Sequence, residues 1–274
     1  MNRPIVIAVM LCAGLTGSSP ARAETLMEKT RNTLRIEQGD CLDLMAELPA
    51  GSIDFILCDP PYGITECRWD RKIPRAPFWR QCWRVLKERG VIALFAQQPF
   101  ATELVAWSRR ELRYEWIWDK GGCTGFANAR RAPLRRHENI LIFYRRQPDY
   151  HPQGLRPCKP RALGIRRSEV FHTTGREGYV QRWTGYPQSI LSFRREQGAA
   201  ACQKPVALLE YLIRTYTPER GLVLDCCMGT GSTGVAAVNT GRRFIGFELD
   251  TARFQVASQR IIAAFDGTRK GGEQ

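Results

Sequence analysis

The segment Asp59-Pro60-Pro61-Tyr62 combines an acid, two prolines and an aromatic ring, which together could hold a planar amine. It follows an apolar run at 53–58 that predicts a buried strand of a parallel sheet. The segment should therefore lie at that strand's carboxyl end, where open α/β folds bind ligands. The prolines fix the loop and leave carbonyl groups free to accept hydrogen bonds. We predict a site for a heterocycle with an exocyclic NH2 group, such as adenine or cytosine, with an ordinary strand-ending turn as the alternative.

A glycine loop near the carboxyl end of the chain suggests a second site. Residues 222–234 predict a strand, a glycine turn and the start of a helix. Gly229 and Gly231 would let a ligand approach the backbone, and the helix N-terminus supplies N–H groups. The next predicted strand ends in Glu248, an acid that could bind both hydroxyl groups of a ribose. No Gly-Lys-Ser/Thr follows, so a P-loop is excluded and an adenosine-containing cofactor is favoured.

The remaining elements must bring these two loops together. Apolar patterns predict further strands at 34–37, 91–95, 114–118, 139–144 and 244–248, and helices at 42–48, 78–87, 100–110 and 205–216. Gly90 should end the second of these helices. Alternating strands and helices on this scale predict an α/β fold with a doubly wound, mostly parallel sheet.

The charge distribution indicates a polyanionic partner. The net charge is +14, and residues 121–200 contain 15 Lys and Arg against 5 Asp and Glu. Regular periodicity fades between Arg145 and Gly185, where aromatic residues are frequent. We interpret 145–195 as an irregular, basic lobe that binds nucleic acid, with a solvated basic face as the alternative. Its candidate DNA contacts are Arg166, Arg167, Arg176 and Arg182.

The cysteines are interpreted as buried thiols. The chain has ten cysteines without a CxxC pair and three histidines without a ligand cluster, so the sequence predicts no metal site. Cys58, Cys226 and Cys227 fall inside or beside apolar strand runs, which is typical of a reducing compartment.

The first 26 residues resemble a secretory signal. A basic start, an apolar run at 5–15 and Ala21-Arg22-Ala23 fit its three regions, and the run is too short for a transmembrane helix. Because no motif precedes Leu34, we interpret 1–26 as a start-site extension and expect translation to begin at Met27 in a cytoplasmic protein. An exported protein is the alternative.

The two loops, in this order, resemble the β group of amino-directed, S-adenosylmethionine-dependent DNA methyltransferases. The resemblance runs from about Leu34 to Ile262 and is especially close to short, solitary, prophage-encoded enzymes. It implies a Rossmann-like methyltransferase fold with a permuted motif order. The implied divisions are a catalytic half at 27–144, a target-recognition lobe at 145–195, a cofactor-binding half at 196–265 and a tail at 266–274. The shared motifs include Gly39-Asp40-Cys41, Trp118-Asp119-Lys120, His137-Glu138, Gln203-Lys204-Pro205 and Phe247-Glu248.

The resemblance assigns roles to individual residues. It implies that Asp59 and the Pro60 carbonyl accept hydrogen bonds from the amine of a flipped base, next to Pro61, and that Tyr62 stacks on the base. S-adenosylmethionine is the implied cofactor and double-stranded DNA the implied partner, with no membrane and no obligatory nuclease, and a homodimer is left open. The implied cofactor-binding residues are Asp40, Cys41, Lys204, Pro205, Asp225, Met228, Gly229, Gly231 and Glu248, with Glu248 on the ribose and Asp40 on the adenine.

Several alternatives remain open. An Asp at position 59 implies adenine N6 more than cytosine N4, since Ser is commoner in the cytosine enzymes. Cys227 replaces an aromatic residue of the family, and the segment 200–203 lacks the usual His-Pro-Thr-Gln, so a non-catalytic DNA-binding relic is an alternative. RNA or a protein glutamine amide is a third type of substrate, although the basic lobe favours nucleic acid. Asp40 and Asp225 could instead only cap strand ends.

Overall fold

The computed structural model describes residues 33–67, 70–163, 179–196 and 203–271. The chain divides into a larger unit, up to Tyr150 and again from Ser189 onward, and a smaller unit, His151–Gln188. Some predictions concern residues outside these ranges. They are the signal-like segment 1–26, the residues 200–202 and three of the predicted DNA contacts, namely Arg166, Arg167 and Arg176. Within the described part of the chain, no helix is both long and apolar enough to cross a membrane.

The larger unit is built on an eight-stranded sheet. In chain order the elements of the whole chain are β1 (Leu34–Gln38), α1 (Cys41–Ala46), β2 (Ile53–Cys58), α2 (Arg75–Val85), β3 (Leu86–Ala96), α3 (Phe100–Trp107), β4 (Leu112–Thr124), a 3-10 helix (Phe126–Asn128), β5 (Arg135–Phe143), β6 (Arg156–Leu163), β7 (Tyr179–Thr184), β8 (Ile190–Ser192), α4 (Val206–Tyr216), β9 (Leu222–Asp225), α5 (Ser232–Asn239), β10 (Arg243–Glu248) and α6 (Thr251–Gly271).

The strand order of the large sheet is β1-β10-β9-β2-β3-β5-β4-β8. The first five strands pair in parallel, β5 is antiparallel to both β3 and β4, and β8 is parallel to β4. This topology confirms the prediction of a doubly wound, mostly parallel sheet.

Helices cover both faces of this sheet. Side chains of a strand point alternately to opposite faces, so Phe55 and Leu57 of β2 pack in one core and Ile56 and Cys58 in the other. The first core contains buried residues of α4, α5 and α6, and the second contains those of α1, α2 and α3. Because β2 is buried on both faces, it has the near-continuous apolar sequence that a central parallel strand requires.

The prediction that Gly90 terminates α2 is wrong. The helix ends at Val85, and β3 begins at Leu86, which pairs with Ile53 of β2. Gly90 lies inside this strand, where a Cβ atom would be 2.7 Å from the Leu86 side chain and 3.0 Å from the Asp54 carbonyl oxygen. Gly90 therefore permits close strand packing and does not terminate the helix.

The basic region is more regular than the sequence predicts. In the smaller unit, β6 and β7 form an antiparallel pair in which Arg161 is opposite Gln181. β8 lies within the predicted lobe at 145–195 but belongs to the large sheet, where Ile190 pairs with Ile117 of β4. Its three residues are too few to show a strand pattern in the sequence.

Candidate active site

Four acids lie at the carboxyl ends of four neighbouring parallel strands. Asp40 follows β1, Asp59 follows β2, Asp225 ends β9 and Glu248 ends β10. These strands are adjacent in the order β1-β10-β9-β2, so their carboxyl ends meet at one edge of the sheet. The structure thus brings the predicted catalytic loop and the predicted cofactor loop together.

Both carboxylate oxygens of Asp59 are held by neighbouring side chains. The Tyr62 hydroxyl donates a hydrogen bond to Oδ1 at 2.6 Å, and the Lys204 ammonium group forms an ion pair with Oδ2. Burial, followed by the charge of Asp59, raises the pKa of Tyr62 well above its ordinary value, so the phenol remains a donor. The Tyr62 ring also stacks on Phe100, with ring centroids 5.2 Å apart. These contacts define the position of the Asp59 carboxylate.

The loop that follows Tyr62 is held by the buried carboxylate of Asp70. Its oxygens accept hydrogen bonds from the backbone N–H groups of Gly63, Ile64 and Thr65, at 2.7–2.9 Å, and from the Thr65 hydroxyl at 2.8 Å. Burial opposes ionisation of Asp70, but these hydrogen bonds outweigh it and lower the pKa. The loop is therefore pre-formed, which holds the Asp59 segment in place.

Lys204 belongs to a buried cluster of two cations and two carboxylates. Its Nζ is 3.4 Å from Glu138 Oε2, and Lys120 Nζ is 3.3 Å from Glu138 Oε1. The side chains of Lys120, Glu138 and Lys204 are at most 10% exposed. Burial opposes the charge of Lys204, but Asp59 and Glu138 outweigh it and raise the pKa. For Glu138, burial is outweighed by Lys204 and then Lys120, which lower the pKa. Lys204 and Glu138 are therefore both charged near neutral pH.

Lys204 was predicted to lie beside the cofactor, and no role was predicted for Lys120 or Glu138. A signal was available, because both residues are charged and lie in strands β4 and β5 beside buried apolar residues. Charged side chains are rarely buried unless they are paired. Their presence in these strands could have indicated a buried ion cluster, although not its connection to Asp59.

Glu248 organises the glycine loop. Its Oε2 accepts a hydrogen bond from the Gly229 N–H at 2.8 Å, and its Oε1 accepts one from the Asp250 N–H at 2.9 Å. A Cβ at Gly229 would meet nothing within 4 Å, whereas one at Gly231 would lie 2.9 Å from Ala257 of α6. Gly229 therefore faces open space that a ligand could enter, and Gly231 permits close packing of α6. A carboxylate has about four acceptor positions, so Glu248 retains capacity for a diol.

The other predicted cofactor residues lie along the same edge. Asp225 is buried, and its Oδ1 accepts a hydrogen bond from the Cys227 N–H at 3.0 Å. Burial raises the Asp225 pKa to about 7. Asp40 caps the start of α1 through a hydrogen bond from the Leu42 N–H at 2.8 Å, whereas the alternative considered for it was capping of a strand end. The remaining predicted residues are at the start of α1, before α4 and in the glycine loop, namely Cys41, Pro205 and Met228.

In the smaller unit, Arg182 lies on β7 next to Trp183, whose side chain is 45% exposed. The facing strand β6 carries Arg156, Lys159 and Arg161, all exposed. The described part of this unit therefore presents a basic surface with an exposed aromatic ring.

Comparisons with known proteins identify the family. The chain is 28% identical over 251 residues to YubD of Escherichia coli (strain K12), named as a methylase, covering 86% of this chain and 94% of YubD. It is 25% identical over 253 residues to the DNA adenine methyltransferase YhdJ of the same organism, covering 84% and 83%.

Solved structures share the fold. The crystal structure of the M1.HpyAVI–SAM complex has a TM-score of 0.58 at 21% identity, covering 83% of this chain and 99% of that one. The PvuII DNA methyltransferase, which is cytosine-N4-specific, has a TM-score of 0.61 at 13% identity, covering 85% and 92%. Residues 53–259, more than half of the chain, match the N6_N4_Mtase family, described as DNA methylase. The chain therefore belongs to this family and is a DNA methyltransferase.

Proposed function

We propose that this enzyme transfers a methyl group from S-adenosylmethionine to the exocyclic N6 of adenine in double-stranded DNA, with the base flipped out of the helix. The observation that carries the proposal is the position of Asp59. Its carboxylate stands beside Tyr62 at the end of β2, on the sheet edge that also carries Gly229 and Glu248. The order of catalytic loop, basic region and glycine loop supports assignment to the β group.

The methyl donor is S-adenosylmethionine, which supplies an electrophilic methyl group on a positively charged sulfur. Glu248 binds the ribose hydroxyl groups, for which its buried carboxylate has spare acceptor positions. Gly229 leaves room for the ligand next to the backbone. Asp40 contacts the adenine amino edge, and Asp225 and Met228 line the methionine part.

Asp59 and the Pro60 carbonyl act on the target amine. The lone pair of an exocyclic amine is delocalised into the ring, so the nitrogen is a poor nucleophile. Hydrogen bonds from the NH2 group to Asp59 and to Pro60 hold the nitrogen with its lone pair directed at the methyl group. The contribution of these residues is positioning and charge, and it requires no covalent intermediate on the protein.

Lys204 and Tyr62 set the strength of Asp59 as an acceptor. Both already donate to its oxygens, and a carboxylate can still accept the amine at its remaining positions. Glu138 also pairs with Lys204 and so competes with Asp59 for the ammonium group. We infer that this balance leaves Asp59 able to accept a hydrogen bond from the base.

DNA is held by the basic segment 145–195. In its described part, Arg182 and the exposed basic residues of β6 can contact phosphates, and Trp183 can contact an unstacked base. The proposed division of labour assigns target recognition to this lobe, methyl transfer to 27–144 and cofactor binding to 196–265.

Two other functions have supporting observations. Methylation of cytosine N4 is the other reaction named for the family to which the chain belongs. A non-catalytic DNA-binding role is favoured by Cys227, because the family resemblance implies an aromatic residue at that position.

The test is methyl transfer with identification of the product. The purified protein is incubated with tritium-labelled S-adenosylmethionine and duplex DNA, and the digested nucleosides are separated by mass-coupled chromatography. We expect N6-methyladenine, and none from the Asp59→Ala variant. N4-methylcytosine would overturn the choice of base. DNA binding without labelled product would favour the non-catalytic role, and label transferred preferentially to RNA or protein would overturn the substrate.

A further inference from the structure

Cysteines from distant parts of the chain lie close together where the two functional loops begin. Cys58 ends β2, and Cys226 and Cys227 follow β9, its neighbour in the sheet. The three Sγ atoms lie within 4.8 Å of one another, and those of Cys58 and Cys226 are 3.4 Å apart. Cys41, the first residue of α1, is a hydrogen-bond partner of Cys227. The cluster is therefore built from three separate chain segments.

The spacing of these cysteines gives no sign of the cluster in the sequence. Cys58 and Cys226 are 168 positions apart, whereas metal sites are recognised in sequences by pairs of closely spaced ligands. The absence of CxxC pairs led to the prediction of no metal site. Parallel pairing of β2 with β9 supplies the proximity that the spacing lacks.

We propose that Cys58, Cys226 and Cys227 form a binding site for a thiophilic d10 cation such as Zn2+, with Cys41 as the nearest additional thiol. Zn–S bonds of about 2.3 Å place tetrahedral sulfur ligands about 3.8 Å apart, within the range spanned by this cluster. Each coordinating thiol loses its proton to solvent, and no electron is transferred.

The surroundings suit such an ion. Cys58 and Cys226 are buried, which excludes water from the site, and Cys227 and Cys41 are partly exposed and give access to it.

An ion at this position would connect the two functional loops. Cys58 immediately precedes Asp59, while Cys226 and Cys227 lie between Asp225 and the glycine loop. Binding would fix the start of both loops to one point, so occupancy should change their mobility. The site does not depend on methyl transfer and can be tested without it.

The experiment is a metal titration of the full chain after reduction and removal of metal with a chelator. Zn2+ is measured by competition with a chromogenic chelator, and Co2+ by its thiolate-to-cobalt charge-transfer absorption. We expect one ion per chain and a charge-transfer band that disappears in Cys58→Ser and in Cys227→Ser. The matched control is Cys123→Ser, which changes a partly buried thiol of β4 and should retain the band.

The outcomes separate the alternatives. Cys227→Ser decides the question if the more buried Cys58→Ser variant fails to fold, as judged by circular dichroism. The proposal is overturned if no stoichiometric ion binds, or if binding survives Cys227→Ser. A loss of binding in Cys123→Ser would place the site elsewhere and also overturn it. A Cys58–Cys226 disulfide after treatment with hydrogen peroxide, without metal binding by the reduced protein, would identify a redox pair instead.

Discussion

Replacing Glu138 with Gln should weaken methyl transfer by changing the environment of Asp59. Glu138 lies 3.4 Å from Lys204 and 3.3 Å from Lys120, and Gln preserves its volume while removing its charge. Asp59 would then be the remaining carboxylate that pairs with Lys204, and Lys120 would lose the carboxylate with which it pairs. Asp59 would become a poorer acceptor for the target amine. We expect kcat to fall, with the cofactor Kd nearly unchanged.

The size of the effect follows from the burial of the cluster. At 3.4 Å, two unit charges attract each other by about 5 kcal/mol at an effective dielectric constant of about 20. Breaking a buried ion pair typically costs about 3–5 kcal/mol of stability. Loss of one preorganised electrostatic contact lowers kcat roughly 100- to 1,000-fold. Because Asp59 itself remains, we expect a smaller decrease in kcat, roughly 10- to 100-fold.

The assay combines unfolding with kinetics. Urea unfolding gives the loss of stability, single-turnover transfer of labelled methyl gives the chemical step, and calorimetry gives the cofactor Kd. The control is Glu88→Gln, which removes a carboxylate paired with Arg146 at 2.9 Å, where both side chains are about two-thirds exposed. Exposed pairs contribute little, so this variant should resemble the unmodified protein.

Three outcomes would refute the reasoning. A Glu138→Gln variant with unchanged kcat would show that the cluster does not control Asp59. A decrease in cofactor affinity as large as that in kcat would place the effect in the cofactor site. Failure of Glu138→Asp to restore any activity, despite normal stability, would show that charge at this position is not the determining property.

Three further changes test other parts of the site. Asp59→Ala should abolish methyl transfer while calorimetric cofactor affinity persists; equal loss of both would show that the assignment is wrong. Burial raises the Asp225 pKa from 3.8 to about 7, so the folded protein binds this proton more tightly than the unfolded chain. The stability that this group contributes is complete below pH 3.8 and is lost as the pH rises through 7. In urea unfolding, the Asp225→Asn variant should lack this dependence of the unfolding free energy on pH. An unchanged dependence would show that Asp225 does not cause it. Arg182→Ala should weaken DNA binding and reduce the log–log salt slope by about 0.9, without changing cofactor affinity; an unaltered slope would exclude a phosphate contact.

Local patterns in the sequence were sufficient to predict the strands and the loops that follow them. The apolar run of β2 and the strand–glycine turn–helix order around β9 are local patterns, and each places a functional residue at a strand end. Since carboxyl ends of parallel strands share one edge, Asp59 and Glu248 could be assigned to a common site before their distances were known. The order of the two loops supported the family resemblance, and the resemblance added the identity of the cofactor.

Tertiary structure decided the contacts between distant segments. Lys204 contacts Asp59, which is 145 positions away in the sequence, and Cys226 contacts Cys58, which is 168 positions away. The pairing of β3 with β2 also ends α2 at Val85 and not at the predicted Lys87, because strand pairing already begins at Leu86. Such contacts depend on strand order and register, and these are set by packing of the whole sheet and not by any one segment.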